Sequence, residues 1–371
     1  MHILVFNAGS SSLKCHLYDW TGIAEHDTPQ SGIWQKSLDW PRNADHAAIL
    51  AELFRALPVQ PDAIGHRIVH GGDKFRDSVL LTHEVQQQVM AYSSFAPSHN
   101  PIQLAMVDEA ENITEGKVPQ VGVFDTAFHA TLAPEEYVYA IPQEWLERGV
   151  RRYGFHGISH QYVSRQAAQL LGRPGRMITC HLGNGCSLAA ISAGECRATT
   201  MGFTPLEGLV MGSRSGSIDP GILIHMMRHH GYTADMLDAL LNKKSGMKGI
   251  SGISGDMRQL LAAIDQGNEA AQLAFDVFTA HIAQNVAALI PAIGGLDALV
   301  FTAGIGENVP QVRAEVCRRL GFLGIELDRA KNESKPVDVE ISTPQSKINV
   351  LTVKTEEDWE IARQCYALCK H

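Results

Sequence analysis

Two arginines of this chain sit among glycines and short side chains. Arg67 lies in His66-Arg67-Ile68-Val69-His70-Gly71-Gly72, at the end of an apolar run, and Arg214 in Gly212-Ser213-Arg214-Ser215-Gly216. Small neighbours let an anionic substrate approach a guanidinium closely, although either arginine could equally close a surface salt bridge. Tyr153-Gly154-Phe155-His156-Gly157-Ile158-Ser159-His160 carries two histidines four apart. On a helix that spacing could hold a metal, but Gly157 weakens a helix and no third ligand is apparent, so His156 alone is assigned to the site. Asp125 ends another apolar run, and strand termini commonly carry catalytic groups in α/β folds. The segment around Arg214 has Arg where G-x-S-x-G has its serine, which argues against a serine hydrolase.

Three segments rich in Gly or Ser each follow an apolar run, at 7–14, 181–186 and 304–308. Such loops expose consecutive backbone N–H groups that cradle phosphate oxygens, and Lys14 adds a positive charge to the first. Any one could be an ordinary turn; three together point to phosphate. The usual nucleotide motifs are absent. No G-x-x-x-x-G-K-[ST] occurs. Gly183-Asn184-Gly185 and Gly304-Ile305-Gly306 meet Leu188 and Val309 where a dinucleotide fingerprint needs its third glycine. Protein-kinase signatures are missing too.

The elements that position these groups read as interleaved strands and helices. Residues 3–6, 13–18, 63–69, 118–124, 176–180, 187–191, 298–302 and 348–353 have strand character. Helical spacing marks 44–56, 101–110, 269–289, 309–320 and 356–369. The alternation predicts an α/β protein. Segments 3–14 and 177–188 share one pattern: apolar run, Asn or His, Gly, small polar residues, then Leu. This weak internal repeat implies two related lobes, each presenting a Gly/Ser hairpin. Residues 1–128, completed by a helix over 358–371, are expected to form an N-terminal lobe, and 129–357 a C-terminal one. Paired phosphate-binding hairpins resemble those of the actin, hexokinase and heat-shock-chaperone superfamily. That resemblance implies ribonuclease H-like lobes, mixed sheets flanked by helices, and a nucleotide cleft between them.

The 371 residues, 45% hydrophobic and 19% charged, suffice for two cores. A formal charge of −9 argues against nucleic acid as a partner, but a local basic pocket can still hold a small phosphorylated ligand. The richest apolar stretch, 286–305, is broken by Pro291, Gly294, Gly295, Asp297 and Gly304, so no membrane partner is expected. Seven cysteines without a C-x-x-C pair read as reduced thiols of a cytoplasmic protein.

The blocks Asn7-Ala8-Gly9-Ser10-Ser11-Ser12-Leu13-Lys14 and Gly202-Phe203-Thr204-Pro205-Leu206-Glu207-Gly208-Leu209-Val210-Met211-Gly212-Ser213-Arg214-Ser215-Gly216, with 65–72, 124–129, 152–160, 181–187 and 301–308, resemble the acetate kinases. The resemblance spans residue 3 to about 363. It implies ATP or ADP as co-substrate, and Mg²⁺ or Mn²⁺ held by Asn7 and Glu357. It places Ser12, Lys14, His181, Leu182, Gly183, Asn184, Gly185, Asp256, Met257, Arg258, Gly304, Ile305, Gly306, Glu307 and Asn308 at the nucleotide. Arg67 would bind the substrate carboxylate. His156 and Arg214 would stabilise the transferring phosphoryl group, with Asp125 as the catalytic acid. The acyl group would lie among Val69, Ser98, Phe155 and Pro205. A homodimer is implied as well. Ser98, Ile158, Ser213, Ser217 and Trp359 depart from the family pattern. Only Ser98, which stands for Leu, touches the acyl pocket, so acetate and propionate both remain as substrates.

Transfer from ATP to a carboxylate joins two anions, so cations are the main requirement. A carboxylate is already ionised at neutral pH and needs no general base. Asp125 is therefore expected to orient Arg214 or a metal-bound water rather than to move a proton. Two rival readings stand beside acetate kinase: a kinase for a longer acid, and an actin-like switching ATPase that needs no acceptor site.

Overall fold

Residues 1–9, 12–23, 28–40, 45–97, 99–334 and 336–370 are described by a computed structural model. The chain divides into two units. The first comprises Met1–Ala130, His156–Tyr162 and Glu356–His371; the second comprises Thr131–Phe155 and Val163–Thr355. The segment His156–Tyr162, which the sequence puts with the C-terminal lobe, thus groups with the first unit.

In the first unit six strands, β1 (His2–Ala8), β2 (Ser12–Asp19), β3 (Trp34–Asp39), β4 (Ala63–Ile68), β5 (Val79–Leu80) and β6 (Gln120–Phe124), form one sheet in the order β3-β2-β1-β4-β6-β5. β1, β4 and β6 run parallel, and β2, β3 and β5 pair antiparallel to their neighbours. The alternation in β2 buries Leu13, Cys15 and Leu17 and leaves Ser12, Lys14 and His16 on the other face. The buried set joins Leu4, Phe6, Leu50, Phe54 and Met106 in one core. The Glu357–Cys369 helix packs on β1, β4 and β6. Trp359, only 2% exposed, fastens its first turn by stacking on Trp20 at 4.5 Å, with Tyr18 edge-on. Trp359→Ala is expected to cost about 3–5 kcal/mol, the usual penalty for emptying a buried aromatic site, as read by urea denaturation.

The second unit repeats the plan. Its strands β7 (Met177–Leu182), β8 (Cys186–Ser192), β9 (Glu195–Thr199), β10 (Ala298–Thr302), β11 (Val339–Glu340) and β12 (Asn349–Thr352) order as β11-β12-β10-β7-β8-β9. Reading from β9, two antiparallel strands lead into three parallel ones with an antiparallel edge strand, as from β3 in the first sheet. The internal repeat in the sequence is therefore the β1–β2 hairpin matched by β7–β8. The Glu269–Leu289 helix buries Ala271, Ala274, Phe278, Ile282 and Val286 at three- and four-residue spacing against β8 and three neighbouring helices. Among the described residues only its span, Glu269–Ile293, is long and apolar enough to cross a membrane, by length and composition. Here one face of it, from Ala271 to Val286, is buried within the unit.

Two segments with loop-like sequences are more regular than expected. β1 runs on through Asn7 because the turn to β2 needs few residues, closed by Gly9 N–H donating to Ser12 O at 2.8 Å. Residues 304–308 are not a loop: Ala303–Asn308 is one short helix, continued after Val309 by the Pro310–Arg319 helix.

Candidate functional site

Because β1, β4 and β6 are parallel neighbours, their C-terminal ends present Asn7, Arg67 and Asp125 together, the place where open α/β sheets bind ligands. Arg67 Nε donates to both Asp125 oxygens at 3.2 and 3.1 Å, and Nη2 to Oδ2 at 2.6 Å. Its Nη1 donates to Asn7 Oδ1 at 3.1 Å. Asn7 Nδ2 donates onward to Asp358 Oδ1 at 2.7 Å and to Glu357 Oε2 at 3.4 Å, and Asp358 Oδ2 meets His16 Nδ1 at 2.8 Å. Asp125, expected to orient Arg214 or a metal-bound water, instead aims Arg67, and two N–H groups of that guanidinium have no acceptor among the described residues. Burial works against the Arg67 charge, but Asp125, Glu357 and Asp358 outweigh it and raise its pKa. Burial likewise opposes the Asp358 carboxylate, yet His16 and Asn7 hold its pKa below the ordinary value. The same hydrogen bond raises the His16 pKa.

Mg²⁺ takes hard oxygen ligands and commonly only one or two from protein, the rest from water and substrate phosphates. Among the described residues no group of three or more His, Cys, Asp or Glu could hold a metal. Glu357 beside Asn7, with Asp358 next to them, fits an ion that arrives with phosphate rather than one held by the protein alone.

His156 adopts φ 57°, a left-handed conformation rare for a residue with a side chain, immediately before the Gly157–Leu170 helix. Gly157, expected to weaken a helix, begins one. Its N–H donates to the Asp125 carbonyl at 2.9 Å, and a Cβ there would collide with that same oxygen. Gly157 thus ties His156 to Asp125. His160 is fully buried, its ring 5.8 Å from that of His129, and belongs to the core. Gly157→Ala is expected to cost about 1–3 kcal/mol by overpacking and to lower turnover with little change in ADP affinity, as thermal denaturation and steady-state kinetics would show. Val69 is buried, its N–H donating to Gln103 Oε1 at 3.0 Å. Ser98 lies outside the described residues.

In the second unit a cavity of about 770 Å³ gathers three of the segments assigned to nucleotide. Gly183 and Asn184 line it, as do Asp256, Met257 and Arg258, and Gly304, Ile305 and Asn308. Gly212, Ser213, Gly255 and Val309 complete the wall. A Cβ on Gly255 would lie 2.5 Å from Gly212 O, and one on Gly212 would lie 3.2 Å from Gly255 O, so glycine at 255 lets these two backbones meet. Asp256 caps the Met257–Asp265 helix and pairs with Arg258 at 2.7 Å. His181 and Leu182 are buried in β7 and Ser12 is exposed on β2. Glu307 faces backbone: its carboxylate accepts from Ala303 N–H at 2.8 Å and Thr355 N–H at 3.0 Å, while burial raises its pKa. It shapes the turn after β10.

Arg214 is half-buried in the same unit. Its Nη1 donates to Pro205 O at 3.2 Å, and among the described residues no carboxylate pairs with it. Burial alone accounts for the lowering of its pKa. A cation kept partly out of water without a counter-charge is poised for an incoming anion. Phe155 is buried in this unit and Pro205 half-buried.

A profile of the Acetokinase family matches residues 2–363. The chain belongs to the acetokinase family. It is 48% identical to the acetate kinase of Gloeobacter violaceus over 400 aligned positions, covering 99% of each chain. Among solved structures, the acetate kinase of Porphyromonas gingivalis superposes with a TM-score of 0.88 at 39% identity. A propionate kinase from Francisella tularensis superposes with 0.89 at 36%, each structure covering 99% of both chains. As an acetokinase the chain is a phosphotransferase with a carboxylate acceptor. The residues that sequence reasoning misses are His16, Asp358 and Gly255. The alternation of His16 with Lys14 is a signal that could find the first, the acidic run 356–358 one that could find Asp358, and the Gly/Ser-rich run 251–255 one that could find Gly255.

Proposed function

We propose that this acetokinase transfers the γ-phosphoryl group of ATP reversibly to acetate by one direct in-line displacement, giving acetyl phosphate and ADP. The observation that carries the reading is Arg214, a half-buried guanidinium with no carboxylate partner among the described residues, beside glycine-walled space for a nucleotide. An acetate oxygen forms the new P–O bond as the bond to the ADP oxygen breaks, so no proton need move. Arg67, aimed by Asp125, binds the acetate carboxylate through the two N–H groups that have no acceptor among the described residues. Arg214 and His156 bear on the phosphoryl oxygens, and Lys14 adds positive charge. Asp125 is a positioning residue, since its oxygens already accept from Arg67. Asn7 and Glu357 would hold Mg²⁺, which supplies charge neutralisation for the phosphates.

The Pro220–His230 helix buries no residue and exposes Ile222, Ile224 and Met227, with Met236 nearby in sequence also exposed. A helix that buries none of its side chains and exposes this much apolar surface is suited to covering by a second copy of the chain. All seven cysteines are free, which favours a reducing compartment such as the cytoplasm.

A coupled assay of ADP release tests the reading: release should depend on acetate, and acetate-independent hydrolysis that is faster would favour a switching ATPase. Acid preference depends on Ser98. On the family resemblance, a serine in place of leucine removes apolar volume and adds a hydroxyl that wants a partner, and one methylene is worth about 1–3 kcal/mol of discrimination. The enzyme should accept propionate comparatively well. Ser98→Leu should raise the acetate-to-propionate ratio of kcat/KM by about tenfold, and an unchanged ratio would remove Ser98 from the acyl pocket.

A further inference from the structure

Val309 lines the nucleotide cavity, and its neighbour Pro310 lines a second one, of about 550 Å³, within the same unit. The Pro310–Arg319 helix forms one wall and the Arg329–Glu333 turn another, over Ile325, Leu327 and the nearly buried Cys317. Such a volume suits a small organic molecule. Arg318 and Arg329 stand at its rim, 68% and 89% exposed, paired with Glu315 at 2.7 Å and Glu333 at 2.8 Å. Exposed pairs of this kind contribute little, so either guanidinium can turn to an incoming anion.

The second cavity is joined to the first by a buried cation that no step of the reaction uses. Arg313, fully buried, donates through Nη1 to the carbonyls of Gly306 and Glu307, both at 2.8 Å, at the end of the Ala303–Asn308 helix. Through Nε and Nη2 it donates to Asn332 Oδ1 and Asn332 O, both at 2.7 Å. Asn332 Nδ2 donates in turn to Pro310 O at 3.0 Å. Asn332 is a wall residue of the second cavity, and Gly304, Ile305 and Asn308 are wall residues of the first. Arg313 therefore ties the helix that walls the first cavity to a wall residue of the second.

We propose that the second cavity is a regulatory site for a small amphipathic organic anion, an apolar body with one acidic head, whose binding tightens nucleotide binding through Asn332 and Arg313. The apolar body lies on Ile325 and Leu327, and the head takes Arg318 or Arg329. Holding Asn332 in place holds the acceptors of Arg313, and with them the carbonyl end of the Ala303–Asn308 helix. The inference rests on the reading of the first cavity as the nucleotide site. By linkage the effect is reciprocal, so nucleotide tightens the anion equally.

The probe is 1-anilinonaphthalene-8-sulfonate, an amphipathic anion whose fluorescence reports apolar sites. On the full chain it should bind saturably, and calorimetry should show the Kd for ADP falling about fivefold in its presence. Ala314→Trp, at an exposed wall position, fills the cavity; it should leave acetate-dependent turnover intact and abolish the effect on ADP. Joint Arg318→Ala and Arg329→Ala replacement should weaken the dye about tenfold or more, the usual scale for charged hydrogen bonds. An unchanged Kd for ADP, a raised one, or an effect that survives Ala314→Trp would overturn the proposal while sparing the nucleotide reading. Failure of ADP to bind with or without the dye would overturn both.

Discussion

Arg214→Ala is expected to lower turnover by about three to five decades while ADP affinity holds, because the charge it meets develops during transfer. That loss corresponds to about 4–7 kcal/mol of barrier. The size of the effect follows from the setting of the side chain. Arg214 has a carbonyl, Pro205 O, to aim it and, among the described residues, no carboxylate to neutralise it, so its full charge is available to the phosphoryl group. A lysine would restore charge without the planar fork and should recover only part of the rate. Steady-state kinetics with ADP binding measured separately checks this; a mutant within tenfold of the parent would remove Arg214 from the role.

Asp125→Asn is expected to reduce turnover by about a hundredfold, the scale of a misplaced substrate clamp. The amide keeps the shape but cannot accept three hydrogen bonds as a carboxylate does, so Arg67 loses its aim. It also leaves a partly buried guanidinium short of its counter-charge, which should lower stability by about 3–5 kcal/mol. The rate should gain no new dependence on pH, and small exogenous bases should not restore it. Restoration by such bases would mean that Asp125 moves a proton.

Residue type makes much of this legible in the sequence. Phosphate demands glycine and small polar side chains at strand ends, which singles out the segments carrying Gly183 and Gly304; family resemblance adds the one carrying Asp256, and all three surround one cavity. Hydrophobic runs locate the strands closely: the run at 298–302 coincides with β10, Ala298–Thr302. What the sequence does not show is pairing between residues far apart in the chain. Arg67 and Asp125 are separated by 58 positions and Asn7 and Asp358 by 351, and each pair meets only because parallel strands and a terminal helix bring their ends together. The short Ala303–Asn308 helix has the sequence of a loop because its two glycines are poor helix formers. Tertiary hydrogen bonds from Arg313 to Gly306 O and Glu307 O, together with the local one from Ala303 N–H to the Glu307 carboxylate, hold it in shape.

The most direct test of one-step transfer to a carboxylate is the stereochemical course at phosphorus. ATP whose γ-phosphoryl group is made chiral with three oxygen isotopes should yield acetyl phosphate of inverted configuration, because a single in-line displacement inverts the centre. Retention would require two displacements through a phosphorylated side chain such as His156 or Asp125, and would contradict direct transfer from ATP to acetate.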